Sequence, residues 1–373
     1  MCRHRLYLKI PPSFQFKNKN YSNFEGMFVI RFILLPFSFL YGCVLSIRNW
    51  FFDIHIFPVT KVNAKVVSVG NLSVGGTGKT PHVEFLCIHS KKKYKTAILL
   101  RGYGRKTKGF LLVDEKSTIE EVGDEALSYA LKFKDEVLVA VCEKRVEGAQ
   151  ALLALHPEIE LIILDDAFQH RHIHRDCNIL LTEFDRPYFK DYVMPIGRLR
   201  EFRKGRKRAD VVLVTKSPTL LSNEEKMAYQ KHLKVGSSTQ VFFSSIQYGK
   251  LISFSQKEEL KYTPQEILLV TGIGNPKPLV NELEKKAKVT HLSFQDHHNY
   301  TVKDLDTIHK LFNNFVAAEK IIVTTEKDAM RLMNTEFSAQ IEAYPWYYQE
   351  MTVTISEQET FLKSIYEDFI TNE

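Results

Sequence analysis

Apolar positions along this chain change their pattern twice. From Met27 to Phe57 they dominate, and the run Phe32–Ile47 is uncharged for 16 residues between Arg31 and Arg48. A bilayer-spanning helix needs about 20 such residues, and this run also holds Pro36, Ser38 and Gly42. It therefore predicts an interfacial helix or hairpin rather than a span. Trp50, Phe51 and Phe52 beside Arg48 supply rings and a cation suited to a headgroup layer. The competing expectation is a helix packed on the protein's own core. Residues 1–26 are polar and basic, lack apolar periodicity and show no signal-peptide order. They read as a disordered extension, or as an over-called start upstream of Met27.

After residue 58 the pattern becomes short, continuous, β-branched runs: Val66–Val69, Ala97–Leu100, Val137–Val141, Leu161–Leu164, Ile179–Leu181 and Val211–Val214. Runs without polar alternation predict strands buried on both faces. Helical stretches such as Glu125–Phe133 and Arg145–Leu155 separate most of them. That alternation predicts an α/β fold with a doubly wound parallel sheet. A second set follows at Gln240–Ile246, Ile267–Val270, Val289–Leu292 and Ile321–Thr324. The stretch Lys216–Glu225, with Pro218 and several Ser/Thr, marks the expected boundary. The expected division is 1–26, a membrane-associated segment 27–58, a domain 59–220, and a smaller α/β domain 221–373.

Composition changes this picture little. At 44% hydrophobic and 25% charged, the 373 residues suit a globular protein rather than a disordered one. Charge placement is more informative. Residues 1–60 hold seven Lys/Arg against Glu25 and Asp53, and 186–208 hold nine against Asp191 and Glu201, in a chain of net charge +7. Such segments suit anionic lipid or phosphorylated ligands. Few aromatics interleave the second stretch and no reading module is present, so nucleic acid is not an expected partner. Cys2, Cys43, Cys87, Cys142 and Cys177 show no zinc-ligand or redox spacing and read as reduced cytosolic thiols.

Candidate chemistry begins where Val66–Val69 runs into Gly70-Asn71-Leu72-Ser73-Val74-Gly75-Gly76-Thr77-Gly78-Lys79-Thr80. A Gly-rich turn between buried strand and helix converges backbone N–H groups on an anion. Ser73 through Thr80 would cradle ATP phosphates, with Lys79 on the β- and γ-phosphates and the Thr80 hydroxyl on Mg²⁺. Ser73 stands where the strict pattern has Gly; Gly75 and Gly76 supply the flexibility. Leu161-Ile162-Ile163-Leu164-Asp165-Asp166 has the strand-then-carboxylate form of the partner metal site.

Together with Arg101-Gly102-Tyr103-Gly104-Arg105, Gly123-Asp124-Glu125-Ala126, Asp165-Asp166-Ala167-Phe168-Gln169-His170, Gly197-Arg198-Leu199-Arg200-Glu201, Thr271-Gly272-Ile273-Gly274-Asn275-Pro276, Asp296-His297-His298 and Thr325-Glu326-Lys327-Asp328, this chain resembles the tetraacyldisaccharide 4′-kinases from about Met27 to Met333. The resemblance implies transfer of the ATP γ-phosphate to the 4′-hydroxyl of a lipid A disaccharide 1-phosphate. It implies a peripheral protein on the cytoplasmic face of the inner membrane, with two α/β domains, the active site in the cleft between them, and a natural start near Met27. The first domain is then a P-loop kinase domain. An anionic membrane surface is an expected partner, and a monomer is expected. Ala167 departs from the family's usual Gly.

The resemblance also suggests roles. Asp124 is the expected base, supported by His297, although Asp124 also suits a helix N-cap. Asp165 is the expected Mg²⁺ ligand, with Asp166 and Glu125 as second choices. Arg200 is the expected transition-state cation, since a guanidinium pairs two phosphate oxygens. Glu201 is expected to orient Arg200, reach the metal or bear on substrate. Tyr103, Arg145, Gln169 and His170 are expected on the substrate side. His170, His172 and His174 would share one face of a strand, but Arg171 and Arg175 favour an anionic surface there over zinc. The alternative function is a P-loop switch or assembly ATPase, which would need neither the basic stretch nor the His297 region.

Overall fold

The computed structural model describes residues 24–296, 298–332 and 337–371. The expectation for 1–26 falls almost wholly outside them, and so does His297. Two compact units are present. The larger joins Glu25–Ile246 to Val353–Glu373, and the smaller holds Gln247–Thr352.

The larger unit is built on β1 (Lys65–Asn71), β2 (Thr96–Leu100), β3 (Leu111–Val113), β4 (Leu138–Val141), β5 (Leu161–Asp165), β6 (Cys177–Glu183), β7 (Val211–Thr215) and the start of β8 (Gln240–Ser253). Their order is β8-β7-β6-β1-β5-β2-β4-β3. β3 pairs antiparallel with β4; the other pairings here are parallel. Every residue of β2, β5, β6 and β7 is buried, which explains their unbroken apolar runs. Burying each Val, Leu or Ile contributes roughly 1.5–3 kcal/mol. Helices α2 (Lys79–Ser90), α3 (Ile119–Val122), α4 (Asp124–Phe133), α5 (Arg145–Leu155) and α6 (Asn223–Leu233) connect the strands. From β1 the chain moves past β5 to β2, and from β5 it crosses back over β1 to β6. This reversal opens a crevice at the carboxyl end of β1, the usual ligand position in such sheets.

The smaller unit orders β10 (Lys288–Ser293), β9 (Glu266–Thr271), β11 (Lys320–Thr325) and β12 (Trp346–Ile355) in that sequence, all parallel. α7 (Lys277–Leu283), α8 (Val302–Asn313), α9 (Glu326–Leu332) and α10 (Ser338–Glu342) complete it. Leu268, Val270, Leu305, Ile308, Ile322 and Trp346 share its core.

The units part at 246/247 and 352/353 rather than at the expected 220/221. The reason is pairing: β8 enters in parallel register with β7, Val211 opposite Gln240. The chain also returns. α11 (Gln358–Lys363) and the turns after it bring Phe361, Ile365 and Tyr366 into the same core as Val83 and Leu86. The Tyr366 hydroxyl donates to the Leu86 carbonyl at 2.8 Å.

α1 (Phe24–Asp53) is one continuous helix of 30 residues with Pro36 inside it, so the hairpin expectation is corrected. Over Ile33–Asp53 it is long and apolar enough to cross a membrane. One face nevertheless packs on the larger unit. Phe52 is 2% exposed, Ser38 donates to the Val193 carbonyl, and a Cβ at Gly42 would lie 2.4 Å from the Phe202 ring. On the other face Ile33, Phe37, Leu40, Val44, Ile47 and Trp50 are each more than half exposed. The helix thus packs on the protein's own core on one side and leaves an apolar surface uncovered on the other.

Candidate active site

The phosphate loop leaves β1 beside β5, where Val69 stands opposite Asp165. Gly70 is required there, because a Cβ would fall 2.7 Å from both the backbone N and the Cβ of Phe168. Gly78 caps α2 in the left-handed region at φ 87°, a conformation that favours glycine. Ser73 needs no such freedom. It is 6% exposed and pairs antiparallel with Leu199; Val74 N–H donates to the Arg198 carbonyl at 2.8 Å and Arg200 N–H to that of Leu72 at 2.7 Å. The departure at Ser73 is thus absorbed by extended pairing with the basic segment.

Several side chains hold the loop. Asn71 Nδ2 donates to Thr77 Oγ1 at 2.7 Å, and Thr215 Oγ1 donates to the Thr77 carbonyl at 2.8 Å. Lys216 Nζ donates to the Gly76 carbonyl at 2.6 Å and pairs with Glu183. His82 bridges the Gly78 carbonyl (2.6 Å) and Ser244 (2.8 Å); burial pushes its imidazole down to about 4, so it is neutral. Sequence reading gave Thr215 no role and took Lys216 as the edge of the expected domain boundary. Their signal was a Thr-Lys-Ser turn directly after a fully buried strand.

Asp165 ends β5 at 2% exposure. Tyr129 donates to its Oδ2 at 2.9 Å, while Oδ1 is buried without a partner. Burial first, and then the Glu125 charge, push this carboxyl up to about 7 in spite of Lys79. An orphaned oxygen on such a carboxyl fits a divalent cation, which would offset that penalty. Among the described residues no three His, Cys, Asp or Glu side chains form a metal cluster. Mg²⁺ commonly takes one or two carboxylates with phosphates and water, so this does not conflict.

Asp166 is differently engaged. Its backbone is left-handed at φ 48°, and its carboxylate receives Arg200 Nη1 and Nη2 at 2.8 and 3.0 Å with Lys79 Nζ at 3.7 Å. Burial works to raise this carboxyl, but Lys79 and Arg200 outweigh it and hold it below its ordinary value. Asp166 is therefore an ion-pair partner of Arg200 and Lys79 here. Ala167 is absent from the positive-φ positions. The left-handed turn is made by Asp166, so a Cβ at 167 meets no backbone penalty.

Arg145 opens α5 only 2% exposed. It donates to the Cys142 and Glu143 carbonyls at 2.6 and 3.3 Å, and burial lowers it to about 10. His170 is half-buried, its Nδ1 has no partner, and burial followed by the Arg145 charge brings it down to about 4. Residues 170–176 form no regular strand; Ile173 makes one isolated bridge to Thr60, and His172 packs on Phe52. The three histidines therefore do not line one strand face. Tyr103 is 77% exposed on its loop. Asp124 is the first residue of α4, capped instead by Gly123, and its Oδ1 accepts Glu125 N–H at 2.9 Å. The N-cap reading moves to Gly123 accordingly. Gln169 donates to the Asn71 carbonyl at 2.9 Å and to Glu201 at 3.1 Å. Glu201, 3% exposed, also receives Arg208 at 2.7 Å and Asn49 at 2.9 Å. Its carboxylate is committed to these internal donors, and not to Arg200 or an open substrate face.

Comparison with known proteins identifies the family of the chain. The family profile described as Tetraacyldisaccharide-1-P 4'-kinase matches residues 30–369. A Tetraacyldisaccharide 4'-kinase of Cytophaga hutchinsonii is 41% identical over 345 residues, covering 91% of this chain and 96% of that protein. One of Flavobacterium johnsoniae is 41% identical over 344 residues, with 91% and 97% covered. The crystal structure of the Aquifex aeolicus protein LpxK in complex with ATP superposes with a TM-score of 0.70 at 32% identity, covering 91% of this chain and 99% of that one.

Proposed function

From the fact that this chain belongs to the tetraacyldisaccharide-1-P 4′-kinase family, we propose a division of labour among its residues. The protein is a kinase that transfers the γ-phosphate of ATP to the 4′-hydroxyl of a lipid A disaccharide 1-phosphate. The observation that carries the site reading is the register of Val69 with Asp165. It puts the phosphate loop beside a buried carboxylate with a free oxygen.

In this reading, residues Ser73–Thr80 bind the ATP phosphates, and Lys79 sits on the β- and γ-phosphates. Asp165 Oδ1 and the Thr80 hydroxyl would hold Mg²⁺, with Glu125 nearby. When bound, the ion neutralises phosphate charge. Arg200 supplies a two-pronged cation for the transferring group. Asp124 takes the proton of the sugar 4′-hydroxyl, in functional partnership with His297. Tyr103, Arg145, Gln169 and His170 serve the acceptor side. The protein acts as a monomer on the cytoplasmic face of the inner membrane. The apolar face of α1 rests on anionic lipid, assisted by exposed Lys204 and Lys207 of the Arg203–Arg208 turn. Residues 59–246 with 353–373 serve as the P-loop kinase domain, and 247–352 as the smaller one.

The direct test is γ-³²P transfer from ATP to a purified lipid A disaccharide 1-phosphate. Labelled lipid that depends on Lys79 supports the reading. ATP hydrolysis without labelled lipid would favour a switch ATPase.

A further inference from the structure

Polar side chains are scarce on α1, yet Asn49 near its carboxyl end faces the catalytic unit rather than solvent. Asn49 Nδ2 donates to Glu201 Oε2 at 2.9 Å. The other oxygen, Oε1, accepts from Arg208 at 2.7 Å and from Gln169 at 3.1 Å. Gln169 in turn donates to the carbonyl of Asn71, the last residue of β1 before the phosphate loop. A second strand of contacts runs alongside. Arg48 donates to the Gln169 carbonyl at 3.2 Å, and Arg171 binds the Asn49 carbonyl at 2.9 Å and Asp53 at 2.7 Å. Glu201 directly follows Arg200, whose N–H is bound to the Leu72 carbonyl.

The carboxylate has no slack. It is 3% exposed, and a Cβ at Gly205 would stand 2.7 Å from Oε2. Among the described residues Asn49 is the one hydrogen-bond donor to that oxygen. A buried charge that loses a donor and cannot reach water will seek another. The donors within its present reach are Gln169 Nε2 and Arg208 Nη2, so the displacement falls on those side chains.

We propose that Asn49 is a positioning residue for phosphoryl transfer. From the anchor helix it fixes the Glu201 carboxylate, which keeps Gln169 on the root of the phosphate loop and Arg200 in register with it. α1 is then part of the catalytic apparatus as well as a lipid anchor. This inference rests on the reading of the phosphate loop and Arg200 given above.

The experiment is γ-³²P transfer in mixed detergent–lipid micelles, where acceptor supply does not depend on vesicle binding. Asn49→Ala is expected to lower kcat about tenfold or more, as small misplacements do, with KM for the acceptor within about threefold. Binding to anionic vesicles should not change. Asn49→Asp, which sets a second carboxylate against Glu201, should lose more. Asn49→Asp combined with Glu201→Gln rebuilds an amide–carboxylate pair and should recover most of the kcat lost in Asn49→Asp. A plain structural brace would instead lower Tm in Asn49→Ala and leave the kcat of the folded protein unchanged. A kcat within twofold of wild type in folded Asn49→Ala overturns the proposal, and so does a swap that recovers nothing. If Asn49→Asp does not fold, Asn49→Ala alone decides. Binding of mant-ATP separates the two levels. Wild-type binding indifferent to Lys79→Ala would break the phosphate-loop reading, whereas Lys79-dependent binding with unimpaired Asn49 variants would break only this proposal.

Discussion

Arg200 holds Asp166 with both arms of its guanidinium, at 2.8 and 3.0 Å, while Asp166 itself sits in the left-handed region at φ 48°. Non-glycine residues adopt that conformation at a cost, least so for Asp and Asn. The strained turn aims one carboxylate at the two cations that a nucleotide phosphate would also seek, Arg200 and Lys79. Asp166 is thus their counter-ion until phosphate competes for them.

Arg200→Lys keeps the charge but loses the fork. It should lower kcat about 10²-fold or more, the usual loss for a missing donor to transition-state charge. ATP affinity should fall far less. Steady-state kinetics with both substrates checks this, and a kcat within threefold of wild type would remove Arg200 from the reacting group.

Lys79→Ala and Asp165→Ala should each lower kcat by about 10²–10⁵-fold. Single-turnover transfer from labelled ATP measures it. Turnover near the wild-type value in either variant would end the assignment of the phosphate site.

Burial pushes the Asp165 carboxyl up to about 7 in the folded protein, against about 4 in the unfolded chain. Because its folded value is raised, its contribution to stability is fully present below about pH 4 and is lost as pH rises toward 7. Metal-free Asp165→Asn removes that loss. Its Tm should exceed that of the metal-free wild type by at least about 2 °C at pH 8, with the gap closing near pH 4. Thermal melts across this range decide it; a pH-independent gap would mean that Asp165 is not the group responsible.

Phe37, Leu40 and Trp50 lie on the exposed face of α1. Replacing all three with Ser should leave the fold intact and reduce co-sedimentation with anionic vesicles about tenfold or more, since each ring or chain contributes on the order of 1–2 kcal/mol. Transfer in detergent micelles should persist. Undiminished vesicle binding would refute the anchor.

Asp124→Asn preserves the acceptor for Glu125 N–H but cannot take a proton. If Asp124 is the base, this variant should fall by about 10²-fold or more in kcat with little change in KM for ATP. His297→Ala added to it should cost little more, since groups acting as a unit are non-additive. An active Asn variant, or clean multiplication of the two losses, would leave Asp124 with only a structural part.

Much of the fold was legible because buried parallel strands carry their own signature. Leu161–Leu164 and Val211–Val214 are continuous apolar runs, Val66–Val69 is broken only by Ser68, and each became a fully or nearly fully buried strand. The phosphate loop and Asp165 were legible for the same reason, since they sit where such strands end. What escaped was non-local. Nothing near Asn49 in sequence announces Glu201, 152 positions away. Lys216 looked like linker because its partners, Gly76 and Glu183, are distant. The pairing of Asp166 with Arg200 was hidden because its backbone conformation and the approach of Arg200 are tertiary facts. The compact units divide at 246/247 and not at the turn holding Pro218, because strand pairing decides which unit the start of β8 joins.

The return of residues 353–373 to the larger unit has a consequence for how the protein is made. Synthesis proceeds from the amino end, and domains generally close as units. Residues 247–352 are contiguous, so the smaller unit leaves the ribosome with all of its chain. The larger unit, begun two hundred residues earlier by about that count, still lacks Phe361, Ile365 and Tyr366, which seal the core beside Val83 and Leu86. Its nascent sheet therefore waits with an open seam, and a message broken between codons 352 and 361 yields a finished small unit attached to a kinase core that lacks its last apolar residues.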